Sequence, residues 1–222
     1  MLEISNKVKE IYPNLKFGVM VINIINSNTN KENFLFLKNS VTETIIKQHP
    51  EYNRQEKIKT EPISNYIKYY KRFKKTYPVL LQLESLLLKQ KNIPDVGITV
   101  ESMFLAELKN LLLTAGHNLD KIELPLKIDV ASGGEHFYGI SDKEQVLTKY
   151  DLFLSDNIGI LSSILNGPDK RTSITKDTKN ILYFVYGVDG ISEKQIQEHL
   201  NDIKDYISSA FSDLKVNSID IF

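Results

Sequence analysis

The sequence predicts an α/β fold of the mixed α+β kind, with helices in the first half and mixed β-sheets with flanking helices in the second. Two observations point there. Between residues 41 and 113 apolar residues recur mainly at helical spacing, whereas from residue 124 onward they come mostly in short β-branched or alternating runs bounded by turn residues. No internal repeat, low-complexity segment or Gly/Ser linker divides the 222 residues. That length suits one large domain or two small ones. A single domain over 1–222 is the simpler organisation, with a helix-rich subregion 1–94 and a sheet-rich subregion 95–222.

Taken in order, Lys16 to Ile25 is rich in β-branched residues and predicts a buried strand. Asn26 to Asn33 reads as a polar loop. Val41 to His49 predicts a helix stopped at Pro50, and Pro62 to Lys75 a second, with Ile63, Ile67, Tyr70 and Lys74 on one stripe. Pro78 suits the first turn of a third helix, Val79 to Leu88, because its missing N–H would be unpaired there anyway. Lys89 to Pro94 is a loop. Thr99 reads as the N-cap of a helix from Val100 to Leu113, with Glu101 in the first turn where its charge suits the helix dipole. Phe104, Leu105, Leu108, Leu111 and Leu112 form its apolar face, and Gly116 supplies the left-handed residue that ends it. Leu124 to Val130 alternates as a strand does, and Ser132 to Glu135 is a turn. Tyr150–Leu154, Ile158–Leu165 and Asn180–Val188 are further strands. Ser192 and Gln195 have capping-box spacing, ahead of a helix carrying Ile196, Leu200, Ile203, Ile207 and Phe211. Val216 to Ile221 closes the chain as a strand.

Composition narrows the function. Twenty-eight basic residues balance twenty-eight acidic ones, so the broad positive field of a general nucleic-acid binder is lacking and any RNA contact has to be local. The chain has no cysteine, which removes disulfides, thiolate catalysis and cysteine metal sites. No apolar run is long enough to span a bilayer. The start, Met1 to Ser5, has no basic region followed by an apolar one, so the expected compartment is the cytoplasm, without a membrane partner.

Known catalytic signatures are lacking: there is no Walker loop, no Rossmann glycine pattern, no Gly-x-Ser-x-Gly and no His-Glu-x-x-His. Gly133-Gly134 reads as a turn. Neither a metal nor a cofactor is expected, since the spacing of His49, His117, His136 and His199 fits no metal motif. His49 and His199 read as surface residues. His117 reads either as a cap behind a helix or as a general base or substrate donor, and His136 either as catalytic or as part of an exposed turn. Glu101 and Glu107, six apart on one helix, sit on different faces, with a solvated stripe Glu107–Asn110–Thr114 as the default.

Two stretches carry binding chemistry. Lys68 to Tyr77 interleaves cations with aromatics. It is either a helix with a solvated lysine face and buried rings, or an RNA contact through Lys71, Arg72, Lys74 and Lys75. The loop Asn166 to Thr178 holds Arg171, one of only three arginines, beside Thr172, Thr175 and Thr178. A guanidinium fork suits carboxylate or phosphate, and threonine hydroxyls donate and accept. The structural alternative is a tight turn at Pro168-Asp169 followed by a threonine-rich hairpin.

The pieces Met103–Asn110, Leu113-Thr114-Ala115-Gly116-His117, Gly133-Gly134-Glu135 and Gly167–Thr175 occur in an order that resembles freestanding B3/B4-domain proteins. These are similar to the B3/B4 region of the phenylalanyl-tRNA synthetase beta subunit. The resemblance runs from about Tyr66 to Ile191, and more loosely over the whole chain. It implies a B3/B4-like fold with a pocket for an aminoacyl group and an adenosine end. In the synthetase this region is an editing module that hydrolyses tyrosine wrongly esterified to phenylalanine tRNA. Carried over, His117 would orient the attacking water. Ser163, Asn166 and Gly167 would form one wall, and Arg171, Thr172 and Thr175 would hold the substrate. The sequence departs from the pattern on the strand 180–188. A glutamate that recognises the tyrosine hydroxyl stands there in the synthetase, and here the position holds Phe184, or Tyr183 with a one-residue slip. The expected function is an aminoacyl-tRNA deacylase or RNA-binding protein, with tRNA or aminoacyl-tRNA as partner. The alternatives are a non-catalytic RNA or aminoacyl-tRNA binding module and an amino-acid binding protein.

Overall fold

The structure is a computed structural model that describes residues 2–26 and 28–222; Met1, from which the expectation about the chain's start is partly drawn, and Ser27 lie outside the described residues. Its elements run β1 (Leu2–Ile4), α1 (Asn6–Ile11), β2 (Lys16–Ile24), α2 (Lys31–Lys47), α3 (Arg54–Lys57), α4 (Ile63–Lys71), α5 (Pro78–Lys89), α6 (Ile98–Asn110), β3 (Thr114–Asn118) and β4 (Leu126–Val130). They continue through β5 (His136–Tyr138), β6 (Glu144–Val146), β7 (Leu152–Ser155), β8 (Ile160–Ser163), β9 (Gly167–Pro168), β10 (Asn180–Gly187), α7 (Glu193–Ser208) and β11 (Leu214–Ile221). The mixed α/β class holds, with most helices early and most strands late.

Two sheets organise the molecule. One has the order β11-β2-β10-β3 and is antiparallel throughout. The other has the order β1-β4-β7-β8-β9, in which only β1 and β4 run parallel. A separate ribbon pairs β5 with β6. Every residue of β10 from Ile181 to Gly187 is buried, as expected of a central strand covered on both faces. Side chains alternate along it. Tyr183, Val185 and Gly187 face the helical layer, where Tyr183 donates to the carbonyl of Thr99 on α6 (2.9 Å). Phe184 and Tyr186 face the other sheet, and Tyr186 bonds Ser162 on β8.

Helix α7 begins at the predicted capping box, with Ser192 and Gln195 bonded reciprocally. It buries Ile196, Leu200, Ile203 and Ile207. It lies so close to β2 that a methyl group added at Gly18 would sit 2.3 Å from Ile196. Helix α5 starts at Pro78 as its sequence predicts.

Helix α6 departs from expectation at both ends. It starts earlier, behind Gly97 at φ +102°, and Thr99 does not cap it. The Glu101 carboxylate accepts the amides of Val96 and Gly97 instead (3.3 and 3.1 Å). It ends at Leu111, whose left-handed backbone (φ 59°) is held by Tyr77 donating to its carbonyl (2.9 Å). Gly116 therefore ends no helix. It lies in β3, where a methyl group would come 2.8 Å from Ile174. Helix α2 also starts well before Val41, within the stretch expected to be loop, because Asn30 caps the Asn33 amide (3.0 Å). The short β1, α1, α3, β3, β5, β6 and β9 are not evident from the sequence.

Candidate functional site

His117 is carried by β3, opposite Leu182 of β10 in the register. It therefore points between the two sheets. Its role is neither an exposed cap behind a helix nor a surface base: the residue is 0 % exposed. One ring nitrogen, Nδ1, meets the Thr172 hydroxyl at 2.8 Å and the other, Nε2, meets the Ser162 hydroxyl at 3.2 Å. The Ser162 hydroxyl also bonds the Tyr186 hydroxyl (2.7 Å). Thr172 donates its hydroxyl hydrogen to the Asp169 carboxylate. The proton order follows from that last bond. Because the Thr172 hydrogen goes to Asp169, His117 Nδ1–H donates to Thr172, and Nε2 accepts from Ser162. Burial pushes the imidazole pKa down to about 3, with the nearby Arg171 charge acting in the same direction. The ring is neutral, so its 3.9 Å approach to Asp169 is no ion pair.

The Asn166–Thr178 loop supplies the other side of this seam. Asp169 turns the chain by accepting the Thr172 amide (3.2 Å), and Thr172 returns its carbonyl to the Asn118 amide of β3 (2.7 Å). Arg171 is not free to meet a ligand with its whole fork. Its Nη2 pairs with Asp156 (2.9 Å), its Nε lies 3.7 Å from Asp169, and Nη1 donates to the Lys121 carbonyl (2.6 Å). The pKa of Asp156 is held below the usual carboxylate range; burial opposes this, but bonds from the Glu123, Gly159 and Ile158 amides and from Arg171 outweigh it. The threonine-rich hairpin does not form, because the hydroxyls bond locally: Thr178 accepts the Thr175 amide (2.9 Å). Ser163 is buried and accepts the Asn166 amide (3.1 Å). Asn166 accepts from Lys75 (3.1 Å), and Gly167 takes φ +73° at the bend.

The structure thus brings His117 and Thr172 into one hydrogen-bonded chain, sets Arg171 beside it through the 3.7 Å approach to Asp169, and places Thr175 apart at an exposed position. Ser162, Asp169 and Tyr186 complete the chain, while Asp156 joins only through Arg171; the sequence marks Asp169 as a turn residue and Ser162 as part of the stretch before Gly167, and gives no sign that either bonds toward His117. Asp169-x-x-Thr172 was the available signal, an Asx-type turn pattern. The space between the sheets is filled by rings. Phe184 is buried against Tyr186 (4.7 Å between centroids) and Phe17 (5.7 Å). Of the two positions left open for the editing glutamate, Phe184 shares the face of His117, whereas Tyr183 points to the opposite face.

Six other expectations need correction or placement. His199 is not a surface residue: it is buried, bonds the Thr114 hydroxyl (2.6 Å), and burial lowers its pKa to about 4. Its place on the Ile196–Leu200–Ile203 stripe was the signal. Glu107 is not solvated either: it is buried, accepts the Thr114 amide (2.7 Å), and burial raises its pKa to about 8. Glu101 is buried too and pairs with Lys38 (2.5 Å). His49 is half-buried and its Nδ1 lies 2.8 Å from the Ile45 carbonyl. His136 stays exposed beside Glu144 (2.6 Å). Of the basic stretch, Tyr66, Tyr69, Tyr70 and Tyr77 are buried and Lys71, Arg72, Lys74 and Lys75 are exposed.

A groove lies elsewhere, on the helical side. It has a volume of about 660 Å³ and is bordered by α2, the start of α6 and the 175–179 loop. Phe34, Leu35, Ile98 and Phe211 give it apolar surface, and the Lys38–Glu101 pair lies among its walls. Around it, Lys31, Lys176 and Lys179 and, opposite in sign, Asp95 and Asp177 make no ion pair among the described residues.

The B3/4 domain profile covers residues 64–212, and the chain belongs to that family. Among solved structures, the chain is similar to an N-terminal fragment of the phenylalanyl-tRNA synthetase beta subunit from Pyrococcus horikoshii, at 14% identity and a TM-score of 0.48, over 100% of this chain and 50% of that one. It thus spans about half the length of that fragment. No curated protein matches the sequence. Among the described residues no helix is long and apolar enough to cross a membrane, and no cluster of three or more His, Asp or Glu side chains is arranged to hold a metal ion.

Proposed function

We propose that this B3/4-family chain is a binding module for an α-amino acid or its ester, including the aminoacyl end of a charged tRNA, and that it binds without hydrolysing. The observation that carries the reading is the groove of about 660 Å³, which combines apolar surface from Phe34 and Phe211 with unpaired charges of both signs. Its size is that of a small-molecule site. An amino acid needs this combination: a carboxylate for the ammonium (Asp95 or Asp177), cations for the carboxylate or a tRNA phosphate (Lys31, Lys176, Lys179), and rings for an apolar side chain. Thr175 belongs to this groove.

The same family supports a hydrolytic reading less well. His117 is buried with both nitrogens engaged, so no base of the seam reaches an ester from outside. We place the protein in the cytoplasm, acting as one B3/4-like domain, where charged tRNA is its natural source of aminoacyl groups.

The test has two arms. Thermal shift with a panel of amino acids and non-hydrolysable aminoacyl-adenosine analogues is expected to raise Tm by about 5–10 °C for the preferred side chain at hundredfold excess over Kd. The double substitution D95N/D177N, at exposed positions, is expected to lower that affinity roughly tenfold. Incubation with mischarged tRNAs is expected to leave ester loss at the rate in buffer. A flat thermal panel, or deacylation above that rate, overturns the reading.

A further inference from the structure

A second groove, remote in sequence from the first, is lined by Arg72, Phe73, Lys74, Thr148, Lys149 and Tyr150. It joins the end of α4 to the turn before β7. Lys71, Arg72, Lys74, Lys75 and Lys149 are all exposed, and none has a carboxylate partner among the described residues. Two of them lie against rings. The Arg72 guanidinium sits over the Tyr12 and Phe73 rings (4.9 and 5.9 Å), and the Lys149 ammonium over the Tyr150 ring (5.0 Å).

Backbone geometry singles out the same place. Lys74 (φ 55°) and Tyr150 (φ 75°) adopt the left-handed region without being glycine. A bulky aromatic there is unfavourable and persists only when its surroundings enforce it. They do: Tyr12 donates to the Tyr150 carbonyl (2.6 Å), and the Tyr150 amide donates to Ala131 (2.9 Å). The result holds a 43% exposed tyrosine at the groove edge, beside cations that have no carboxylate partner among the described residues. The two hydrogen bonds are made by backbone atoms of Tyr150, so they do not require its ring.

We infer that this groove docks single-stranded RNA, with Tyr150 as a stacking platform for a base and Arg72, Lys74, Lys75, Lys71 and Lys149 along the phosphates. A ring face beside a line of unpaired cations is what unpaired bases on a phosphate backbone require, and it tolerates any sequence. An acidic protein surface would use the charges but leave the ring without a role. The inference is independent of the amino-acid groove.

Fluorescence anisotropy with a labelled twelve-nucleotide single-stranded RNA tests it on the full chain. Affinity is expected to fall with salt, with a slope of log K against log salt no steeper than about −3.5 for five phosphate contacts. K149E is expected to flatten the slope by about 0.7 or more. Tyr150→Asn, which suits the left-handed backbone and removes only the ring, is expected to weaken binding by about five- to 150-fold while leaving the salt slope unchanged. Tm values within a few degrees of the parent protein confirm that both variants fold, and K75E repeats the charge test on a different loop. No RNA binding at 50 mM salt overturns the inference, as does binding indifferent to both substitutions. So does binding to vesicles of one-third phosphatidylserine in preference to RNA.

Discussion

At the scale of single residues, the interior is specified by polar atoms that leave no choice of partner. Tyr66 is 0 % exposed, and its hydroxyl does two things at once: it donates to the Tyr186 carbonyl (2.7 Å) and accepts the Leu113 amide (3.2 Å). Its ring lies flat on that of Tyr77 at 4.5 Å. Tyr66→Phe keeps the ring and strands two backbone groups. It is expected to cost about 2 kcal/mol, read as a lower urea midpoint with an unchanged slope. A change below about 0.5 kcal/mol would mean that the ring alone fixes this contact. Nothing in the sequence marks Tyr66 as different from its neighbours Tyr69 and Tyr70. All three are buried, on three separate hydrogen bonds. Helical spacing shows that some face inward, but which acceptor each reaches, the Tyr186 and Ile164 carbonyls or the Asp151 carboxylate, depends on residues 82 to 120 positions away in sequence, beyond the reach of any local pattern.

At the scale of elements, regular periodicity was the readable part. The capping box of α7, the proline start of α5 and strands β2, β10 and β11 fall close to where their residues predict. The failures share one cause, a tertiary partner that overrides a local signal. Gly116 looks like a helix stop, but Leu111 stops α6 because Tyr77 holds its carbonyl. That shift moves His117 from a helix end into a buried strand and changes what it can do. The threonine loop looked like a ligand site, but Asp169 and Thr172 serve the seam, and only the Thr175 end reaches a groove. The seat of α7 is a further case. At Gly187 a methyl group would lie 2.7 Å from the Lys16 carbonyl and 2.8 Å from Ile196. Because the nearest atom is backbone in the paired strand β2, relief needs the sheet or the helix to move. Gly187→Ala is expected to destabilise by about 1–3 kcal/mol, measured by thermal denaturation; an unchanged Tm would show that the helix slides freely on the sheet.

At the scale of the whole molecule, buried titrating groups set opposing limits on stability. His117 and His199 have folded pKa values of about 3 and 4, below the unfolded value of about 6.5. The unfolded chain takes up those protons first, so their contribution is complete above pH 6.5 and is lost as pH falls toward 3. Glu107 runs the other way. Its folded value of about 8 lies above the unfolded one, so its contribution is complete at acid pH and is lost as pH rises through 8. Glu107→Gln keeps an oxygen for the Thr114 amide and removes the titration. It is expected to raise Tm at pH 9 relative to the parent protein by several degrees while leaving Tm at pH 5 nearly unchanged. Parallel Tm–pH curves for the two proteins would refute this assignment.

The sheet order has one more consequence, and it concerns time. Strand β2 is hydrogen-bonded to β10 and β11 and to no strand nearer in sequence. A ribosome adding about 5–20 residues per second makes this apolar strand on the order of ten seconds before its first partner exists. The helices between can form as they emerge, but the central sheet cannot close until β10 and β11 have been made. An unpaired Phe17–Ile24 strand is therefore what a holding chaperone would meet in the interval.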